Sequence, residues 1–270
     1  MRSRNGSPTW SRSSCEQSLN ESELARALAE SRSCVVLTGA GISAESGIPT
    51  FRDAQWGLWA EFDPGKLATP EAFARDPELV SRWYDERRLA VAGARPNAGH
   101  FALARIERFL EERGRRFLLV TQNVDRLHQR AGSRSVVELH GSLLDWRCSQ
   151  CGAEREESGP AFPCYPPRCA CGGARRPGVV WFGEMLPQDS VARAEGAVND
   201  CDLFFSIGTS AEVFPAAGLI HRAVDLGART VEINPQPTPV SRRVDLSIHE
   251  AAATALRRLA DELEPRPTKY

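Results

Sequence analysis

Apolar positions along the chain fall into two alternating patterns. Short continuous apolar runs, such as the one that starts at Cys34, are typical of strands buried on both faces of a parallel sheet. Between these runs, apolar residues return with the spacing of amphipathic helices. Strands are predicted over residues 34–38, 117–121, 135–139, 202–207 and 230–233, and helices over 21–31, 79–92, 98–113, 215–226 and 251–263. This alternation predicts an α/β fold with a doubly wound parallel sheet and helices on both faces.

Composition and charge argue against nucleic acid and membranes as binding partners. The 270 residues include 34 basic and 35 acidic side chains, for a net charge of −1. All but two of the basic residues are arginines, which we interpret as a compositional bias, because proteins that bind nucleic acid or a membrane surface normally carry a basic excess. No apolar run reaches the roughly 20 residues of a transmembrane helix, and the amino-terminal residues lack the apolar segment of a secretory signal. We therefore expect a cytoplasmic monomer that binds neither nucleic acid nor membrane.

A glycine-rich segment, GAGISA, follows the first predicted strand at residues 39–44. Glycines in such a place allow the backbone to approach a pyrophosphate. Taken alone this GxGxxA pattern is weak, and an ordinary tight turn is the alternative. No strand ending in an acidic residue follows about 20 residues later to hold a ribose, as the usual dinucleotide fingerprint requires. The segment therefore indicates a nucleotide loop of another design.

Four further strand ends carry polar side chains. They are Thr121-Gln122-Asn123-Val124-Asp125, Glu138-Leu139-His140-Gly141, Gly208-Thr209-Ser210 and Asn234. Each could be ordinary helix capping. Ligands of doubly wound sheets bind at the carboxyl ends of strands, however, so together these groups predict one binding crevice. A single histidine is more often structural than catalytic, but its position at this crevice makes His140 our candidate general base.

The cysteines indicate a metal site. Five of the eight lie between Cys148 and Cys171, and such clustering in a protein without a secretory signal favours metal over disulfides. Cys148-x₂-Cys151 and Cys169-x-Cys171 form two pairs separated by 17 residues. The first pair has the usual spacing of thiolate ligands, whereas the second is one residue short. Cys164 is an alternative ligand, and reduced cysteines without a metal are the alternative interpretation.

Five sequence strings, taken in order, resemble the sirtuin family, whose members are NAD-dependent protein-lysine deacylases. The strings are GAGISAESGIPTFR (39–52), TQNVDRLH (121–128), ELHGSL (138–143), VVWFGE (179–184) and IGTS (207–210). The resemblance extends from about Cys34 to the last predicted helix. It implies a catalytic domain over residues 21–270, preceded by a disordered polar tail, 1–20. Within the domain it implies a Rossmann-like NAD-binding core over about 21–52, 96–140 and 185–265, a helical insert over about 53–95 and a zinc-ribbon module over about 141–180.

The resemblance also implies roles for the strand ends. The loop that ends at Arg52 would wrap the pyrophosphate and close over the nicotinamide, with Phe51 shielding the reactive ribose carbon. Contacts with NAD are expected at Gly39, Ala40, Gly41, Ala44, Thr50, Phe51, Arg52, Gln122, Asn123, Asp125, Gly208, Thr209, Ser210, Asn234 and Ala251. His140 would act as the general base on a ribose hydroxyl. Nicotinamide and an O-acyl-ADP-ribose would be released.

Two further sites follow from the same resemblance. The acylated peptide would add as a strand held by backbone hydrogen bonds. Its neighbours are expected to be Val180, Phe182, Gly183, Glu184 and Val213. One structural Zn²⁺ would be held by Cys148, Cys151, Cys169 and Cys171, a closed site without a catalytic role.

Three residues predict the acyl specificity. Tyr84 and Arg87 are three positions apart on a predicted helix, so they share one face. A guanidinium can bind a carboxylate through two hydrogen bonds, and a phenol can add a third. With the small Ala68, they match the sirtuin branch that prefers succinyl- and malonyl-lysine. The alternative is a solvated charged helix face, since charged residues surround the pair; these are Arg82, Asp85, Glu86 and Arg88.

Other functions of the same chain are less well supported by these residues. A mono-ADP-ribosyltransferase would use the same ribose chemistry. A non-catalytic NAD-binding module would not need His140, Asn123 and Asp125, which are all present. A conventional dehydrogenase is disfavoured because the fingerprint lacks its ribose-binding acid. The sequence therefore predicts a deacylase that removes succinyl, malonyl and acetyl groups from protein lysines.

Overall fold

The computed structural model describes residues 16–49 and 64–263. The first helix begins at Glu16, five residues before its predicted start, so part of the predicted disordered tail is helical. Polar composition argues against burial but not against helix formation, because Glu, Gln and Leu are all good helix formers. The rest of that predicted tail, residues 1–15, lies outside the described residues.

The described strands form two sheets. In chain order they are β1 (Ser33–Thr38), β2 (Arg116–Thr121), β3 (Val136–Glu138), β4 (Gly141–Cys148), β5 (Glu154–Glu156), β6 (Arg175–Val179), β7 (Leu203–Ile207), β8 (Arg229–Ile233) and β9 (Leu246–Ile248). Six of them make a sheet in the order β3-β2-β1-β7-β8-β9, and every pairing in it is parallel. Apart from the three inserted strands, this is the strand order of dinucleotide-binding folds. Successive strands are added outward from β1 on one side and then outward from β7 on the other, so the switch point lies between β1 and β7.

Helices cover both faces of this sheet. The described α-helices are α1 (Glu16–Glu30), α2 (Pro64–Leu67), α3 (Pro70–Arg75), α4 (Pro77–Gly93), α5 (Ala98–Glu111), α6 (Leu127–Arg130), α7 (Gln188–Asp200), α8 (Ala217–Asp225) and α9 (Ala252–Leu263). Alternate residues of β1 enter different cores. Val36 packs with α1, α5 and α9, whereas Val35 packs with α7 and α8. The predicted doubly wound α/β fold is thus confirmed.

A small antiparallel sheet, ordered β5-β4-β6, is inserted between β3 and β7. It shares a third apolar core with α2, α3 and α4. Three tryptophans dominate this core, one from α4 and two from the β4–β6 region; they are Trp83, Trp146 and Trp181. The helical segment α2–α4 and the region of the small sheet from β4 to β6, called the ribbon below, therefore stabilise each other. Among the described helices, none combines the length and the apolar composition needed to cross a bilayer.

A buried ion pair ties α4 to the ribbon. Asp85 and Arg88 lie 2.7 Å apart, and both side chains are 0% exposed. Arg88 also donates to backbone carbonyls of the ribbon, those of Glu157, Gly159 and Pro160. Asp85 accepts hydrogen bonds from the backbone of Phe162 and the hydroxyl of Tyr165. The alternative interpretation of the sequence, a solvated charged helix face, placed Asp85 and Arg88 in solvent. Their burial corrects that alternative.

Replacing Asp85 with alanine is expected to lower the free energy of unfolding by about 3–5 kcal/mol, because Arg88 would stay buried without its counter-charge. The matched control is Glu78→Ala, which removes the exposed Glu78–Arg82 pair on the same helix. Such a surface pair contributes less than about 1 kcal/mol. Urea unfolding of the two variants measures both effects. Similar small losses would contradict the structural role given to the Asp85–Arg88 pair.

Candidate active site

The glycine segment after β1 packs directly against the loop after β7. A Cβ atom added at Gly39 would lie 2.8 Å from the carbonyl oxygen of Gly208, and one at Gly41 would lie 2.7 Å from its Cα. The backbone N–H of Gly41 donates to that carbonyl at 2.8 Å. Sequence reasoning explained these glycines by the approach of a pyrophosphate. The structure adds a second reason, the close contact of two backbones where β1 and β7 end.

The segment continues in two short 3₁₀ turns, Ala40–Ile42 and Ala44–Ser46, and not in an α-helix. Asn97, which caps α5, donates through its side chain to the carbonyl of Ile42 at 2.8 Å and to the Ser46 hydroxyl at 3.0 Å. The amino end of α5 thus anchors the turns. The predicted NAD contacts Thr50, Phe51 and Arg52 lie outside the described residues.

Ser43, Asn123 and Asp125 form a buried polar cluster behind this segment. The Asn123 side-chain amide donates to the carbonyl of Gly39 at 3.1 Å and to the Ser43 hydroxyl at 3.2 Å. That hydroxyl in turn donates to Asp125 at 2.6 Å. Burial raises the pKa of Asp125, although its hydrogen bonds from Ser43 and from the backbone of Leu127 act in the opposite direction. The cluster links the loop after β2 to the loop after β1.

His140 lies half-buried between β3 and β4. Its Nδ1 is 2.9 Å from the backbone carbonyl of Gln122. A carbonyl only accepts hydrogen bonds, so Nδ1 carries the proton and Nε2 carries the free lone pair. Burial lowers the pKa of His140, and the Gln122 carbonyl offsets this only in part. The imidazole is therefore held neutral, with Nε2 able to accept a proton.

The remaining predicted NAD contacts lie at the ends of β7 and β8 and before α9. The Gln122 side chain donates to the Thr209 hydroxyl at 3.0 Å, which joins the β2 and β7 loops. Asn234 is buried, and its side chain donates to the carbonyl of Gln236 at 2.6 Å. Ser210 and Ala251 are half-buried. All of these residues belong to the same edge of the parallel sheet, as the sequence predicted for a crevice.

Tyr84 belongs to the core that α4 shares with the ribbon. It is 6% exposed, and its hydroxyl accepts a hydrogen bond from the indole N–H of Trp181 at 3.0 Å. Ala68 is buried in the same core. Its carbonyl accepts from the backbone N–H of Phe182 at 2.9 Å. The structure thus brings the α2–α4 region and the segment after β6 together around Tyr84.

Arg87, one turn further along α4, is half-buried. Its Nη1 donates to the carbonyl of Trp83 at 2.6 Å, and its guanidinium carbon lies 3.1 Å from the centroid of the Trp83 ring. Within the described part of the chain, its buried Nη2 has no hydrogen-bond partner. Burial lowers the pKa of Arg87 to about 10, so the side chain still carries its charge at neutral pH.

The segment predicted to bind the peptide forms a tight turn after β6. The Glu184 carboxylate accepts from the backbone N–H of Trp181 at 2.9 Å and from both terminal nitrogens of Arg176, at 2.6 and 2.9 Å. The Glu184 side chain therefore closes the turn, while the backbone N–H of Val180 is bound to the carbonyl of His140 at 2.9 Å. Phe182, Gly183 and Val213 are exposed.

The four predicted zinc ligands come together at one end of the ribbon. Their sulfur atoms all lie within 4.8 Å of one another, and neighbouring Sγ atoms are 3.5–3.8 Å apart. Ligands about 2.3 Å from a tetrahedral Zn²⁺ are separated by similar distances. Backbone N–H groups of Cys151 and Gln150 lower the pKa of Cys148 to about 6. Cys164 lies outside this set, so it is not the substitute ligand that the sequence left open.

A model of the Sir2 family matches residues 39–215. The chain belongs to the Sir2 family. A relative from Aquifex aeolicus, named NAD-dependent protein deacylase, is 50% identical over 238 residues, which cover 88% of this chain and 98% of that relative. A relative of the same name from Mycobacterium tuberculosis is 47% identical over 233 residues, or 84% of this chain and 96% of the relative.

Solved sirtuin structures agree with the fold. The crystal structure of a Sir2 homolog–NAD complex has a TM-score of 0.82 and 46% identity, and the match covers 89% of this chain and 93% of the other. A Sir2 structure with a deacetylated p53 peptide and 3′-O-acetyl ADP-ribose has a TM-score of 0.77 and 34% identity, covering 89% and 97%. The first of these Sir2 structures contains NAD, and the four-cysteine cluster of this chain fits a structural zinc site.

Sequence reasoning missed several residues that support this sirtuin site. Ser43 stands inside the glycine string and was given no role, yet it connects Asn123 to Asp125. His100, whose Nδ1 accepts from the backbone N–H of Asn97, lies 3.4 Å from the Ser43 hydroxyl. The Asn97–His100 spacing at a helix start was the available signal, since it is that of a capping box.

Proposed function

We propose that this sirtuin removes succinyl and malonyl groups from protein lysines in preference to acetyl groups, which it also accepts. The reaction class, NAD-dependent protein deacylation, is the one for which its relatives are named. The preference rests on one observation, the half-buried Arg87 whose Nη2 lacks a partner in the described part of the chain. A substrate carboxylate is the group that would satisfy it.

His140 supplies the proton transfer. NAD, when bound, provides the ribose carbon to which the acyl oxygen becomes attached. The Gln122 carbonyl holds the imidazole as the Nδ1–H tautomer, so Nε2 takes the proton of a ribose hydroxyl. General-base catalysis of this kind contributes about 10²–10⁴-fold. The low pKa of the buried imidazole keeps it in the neutral form that the step requires.

The Ser43–Asn123–Asp125 cluster holds the nicotinamide end of the site. The side-chain amide of Asn123 binds the Gly39 carbonyl and the Ser43 hydroxyl, so the loops after β1 and β2 are held in one geometry. Asp125, held by Ser43, is the group we expect to face the carboxamide. Preorganised polar groups of this kind orient a ligand without having to rearrange during the reaction.

The acyl pocket selects its substrate by charge and by space. Arg87 and Tyr84 present a guanidinium and a phenol from the same side of α4, and Ala68 leaves room beside them. A hydrogen bond to a charged group contributes about 1.5–3 kcal/mol, equivalent to roughly 10- to 150-fold in affinity. An acetyl group carries no carboxylate and therefore gains none of this binding free energy. Dicarboxylic acyl groups should therefore react faster at low substrate concentration.

The acylated peptide is proposed to lie along the turn after β6 and the segment before α8. Backbone groups of extended peptides add to such edges with little demand on sequence. Exposed apolar side chains flank the proposed path; they are Phe182, Met185, Val213 and Phe214. These side chains would pack against the residues next to the modified lysine. The expected monomeric state and cytoplasmic location stay predictions.

Replacing Arg87 with methionine is expected to reduce kcat/KM for a succinyl-lysine peptide by about 10- to 100-fold. Methionine keeps an unbranched, flexible stem and removes the charge and the hydrogen-bond donors of the guanidinium. The kcat/KM for the acetyl-lysine peptide of the same sequence should change by less than about threefold, because an acetyl group has no carboxylate to bind Arg87. Nicotinamide release measures both rates.

Arg82→Met is the matched control, since Arg82 is exposed on the same helix and pairs with Glu78. This variant should leave both reactions unchanged. Equal losses of the acetyl and succinyl reactions in Arg87→Met, or no loss in either, would contradict the carboxylate clamp.

A further inference from the structure

We infer that Trp181 is a specificity-determining positioning residue: its indole N–H, by donating to the Tyr84 hydroxyl oxygen, directs the hydroxyl hydrogen of Tyr84 toward the carboxylate of a dicarboxylic acyl group. This inference rests on the proposed function, because it assigns the orientation of one half of the proposed clamp. It concerns a residue after β6, far from α4 in sequence. It also predicts an effect on one acyl class only.

The two side chains meet in the core between α4 and the ribbon. Trp181 Nε1 lies 3.0 Å from the Tyr84 oxygen, in a buried contact between residues 97 positions apart. The ring centroids are 6.1 Å apart with an interplanar angle of 46°. Phe73 also packs against the indole, with ring centroids 5.5 Å apart. This packing restricts rotation of the Trp181 and Tyr84 rings, so the hydrogen bond between them has a fixed direction.

The direction of the Tyr84 hydroxyl hydrogen follows from the chemistry of the indole and the phenol. An indole N–H can only donate, whereas a phenol has one hydrogen to donate and lone pairs to accept. Tyr84 must therefore be the acceptor, and its own hydrogen has to point elsewhere. Burial raises the pKa of Tyr84, so the phenol keeps that hydrogen. A carboxylate held by Arg87 is an acceptor of the right charge on the same face of α4.

Two further contacts hold Trp181 in place. Its backbone N–H donates to Glu184 at 2.9 Å, and the Arg176 guanidinium stacks over its ring at 3.4 Å from the centroid. Arg176 is in turn bound by both oxygens of Glu184 and donates to the carbonyl of Val179 at 3.1 Å. The turn after β6 thus fixes the indole, and through it the hydroxyl of Tyr84.

An acetyl group makes no hydrogen bond with the oriented Tyr84 hydroxyl. Its only acceptor is the carbonyl oxygen that reacts with the ribose, and it has no atom that reaches a distal donor. Losing the orientation of Tyr84 should therefore weaken only substrates with a distal carboxylate. Because the contact lies away from the reacting atoms, the loss should appear in KM and leave kcat unchanged.

The test replaces the indole N–H with a group that cannot donate. Two substitutions at this position serve, Trp181→Phe and the amino-acid analogue 3-benzothienyl-alanine, which keeps the bicyclic ring but has sulfur in place of N–H. For the succinyl-lysine peptide, KM is expected to rise about 3- to 10-fold, the value of one neutral hydrogen bond. The acetyl-lysine peptide should change by less than about twofold in both KM and kcat.

A double-mutant cycle with Tyr84→Phe shows whether the two residues act together. If Trp181 works through the hydroxyl, then 3-benzothienyl-alanine in the Tyr84→Phe background should have no further selective effect on succinyl KM. Additive losses would overturn the inference. So would equal losses of the acetyl and succinyl reactions, which a merely structural role predicts.

The proposed function can fail separately. If the unmodified enzyme shows no succinyl preference, the clamp itself is wrong, and the Trp181 inference is overturned with it. If the preference and the Arg87→Met result are both found but the isosteric analogue changes nothing, only the role of Trp181 is wrong. The analogue keeps the packing against Phe73 and Arg176, so loss of folding is not expected to obscure the comparison.

Discussion

Replacing His140 with alanine is expected to reduce the deacylation rate by about 10²–10⁴-fold, and by the same factor for acetyl, malonyl and succinyl substrates. The expected loss is the same for the three substrates because the proposed proton transfer involves the ribose hydroxyl, which does not differ between acyl groups. The tautomer of His140 suits the proposed step, because Nδ1 is bound to the Gln122 carbonyl at 2.9 Å. Product formation in single turnovers with each peptide measures the loss.

The pH profile gives a second check on the same residue. Burial lowers the pKa of His140 below its ordinary value, and the base acts only when neutral. The acid limb of kcat/KM should therefore lie below about pH 6.5, with activity lost as the pH falls through the lowered pKa. His221→Ala is the control, because this histidine lies on α8 and contacts Arg243. A loss confined to one acyl group in His140→Ala would contradict the assigned role.

Replacing Cys148 with serine is expected to remove the zinc and to unfold the ribbon. Thiolates brought within 4.8 Å of one another repel each other unless a cation is shared, and in small zinc domains the metal supplies about 10–16 kcal/mol of apparent binding free energy at neutral pH. Metal analysis should fall from one zinc per chain to near zero. The thermal unfolding transition should move to lower temperature. Cys164→Ser is the matched control and should keep its zinc.

Loss of the zinc should also abolish activity, although the metal takes no part in the chemistry. Trp146 in β4 and Tyr84 in α4 belong to one apolar core, and β4 begins directly after His140. Unfolding the ribbon should therefore remove a wall of the proposed acyl pocket and the support of the proposed base. A zinc-free Cys148→Ser protein with unchanged stability and turnover would refute this structural role.

The core strands could be predicted because they are buried on both faces. All six residues of β1 are buried, and such strands give continuous apolar runs that need no other context. Strand β9 was missed because its three residues, Leu246–Ile248, are only half-buried. Helix α7 was missed as well. Only two of its 13 residues, Ala194 and Val198, are buried, so its apolar periodicity is weak.

The burial of charged residues on α4 could not be predicted from local sequence. Asp85 and Arg88 look like any exposed helical pair at a spacing of three residues. Their burial depends on the carbonyls of residues 157–160 and on Tyr165, which lie about 70 to 80 positions away in sequence. Contacts over such separations leave no local pattern. The same holds for the hydrogen bond from Trp181 to Tyr84.

The crevice residues were predicted because topology alone brings strand ends together. Parallel strands that end at one edge collect their following loops there, so Gly39, Asn123 and Thr209 could be grouped from the predicted order of elements. Which of them touch could not be predicted. Ser43, the residue that joins Asn123 to Asp125, was passed over because a serine in a turn ordinarily caps backbone groups.

Arg87 and Tyr84 are proposed to make this sirtuin select acyl groups that carry a carboxylate. The most direct measurement compares kcat/KM of the unmodified enzyme, with NAD, on succinyl-, malonyl- and acetyl-lysine peptides of one sequence. Nicotinamide release and the mass of the O-acyl-ADP-ribose are followed together. We expect the succinyl and malonyl peptides to exceed the acetyl peptide by at least about tenfold. An acetyl rate equal to or above the succinyl rate, or no nicotinamide release with any acylated peptide, would contradict the claim.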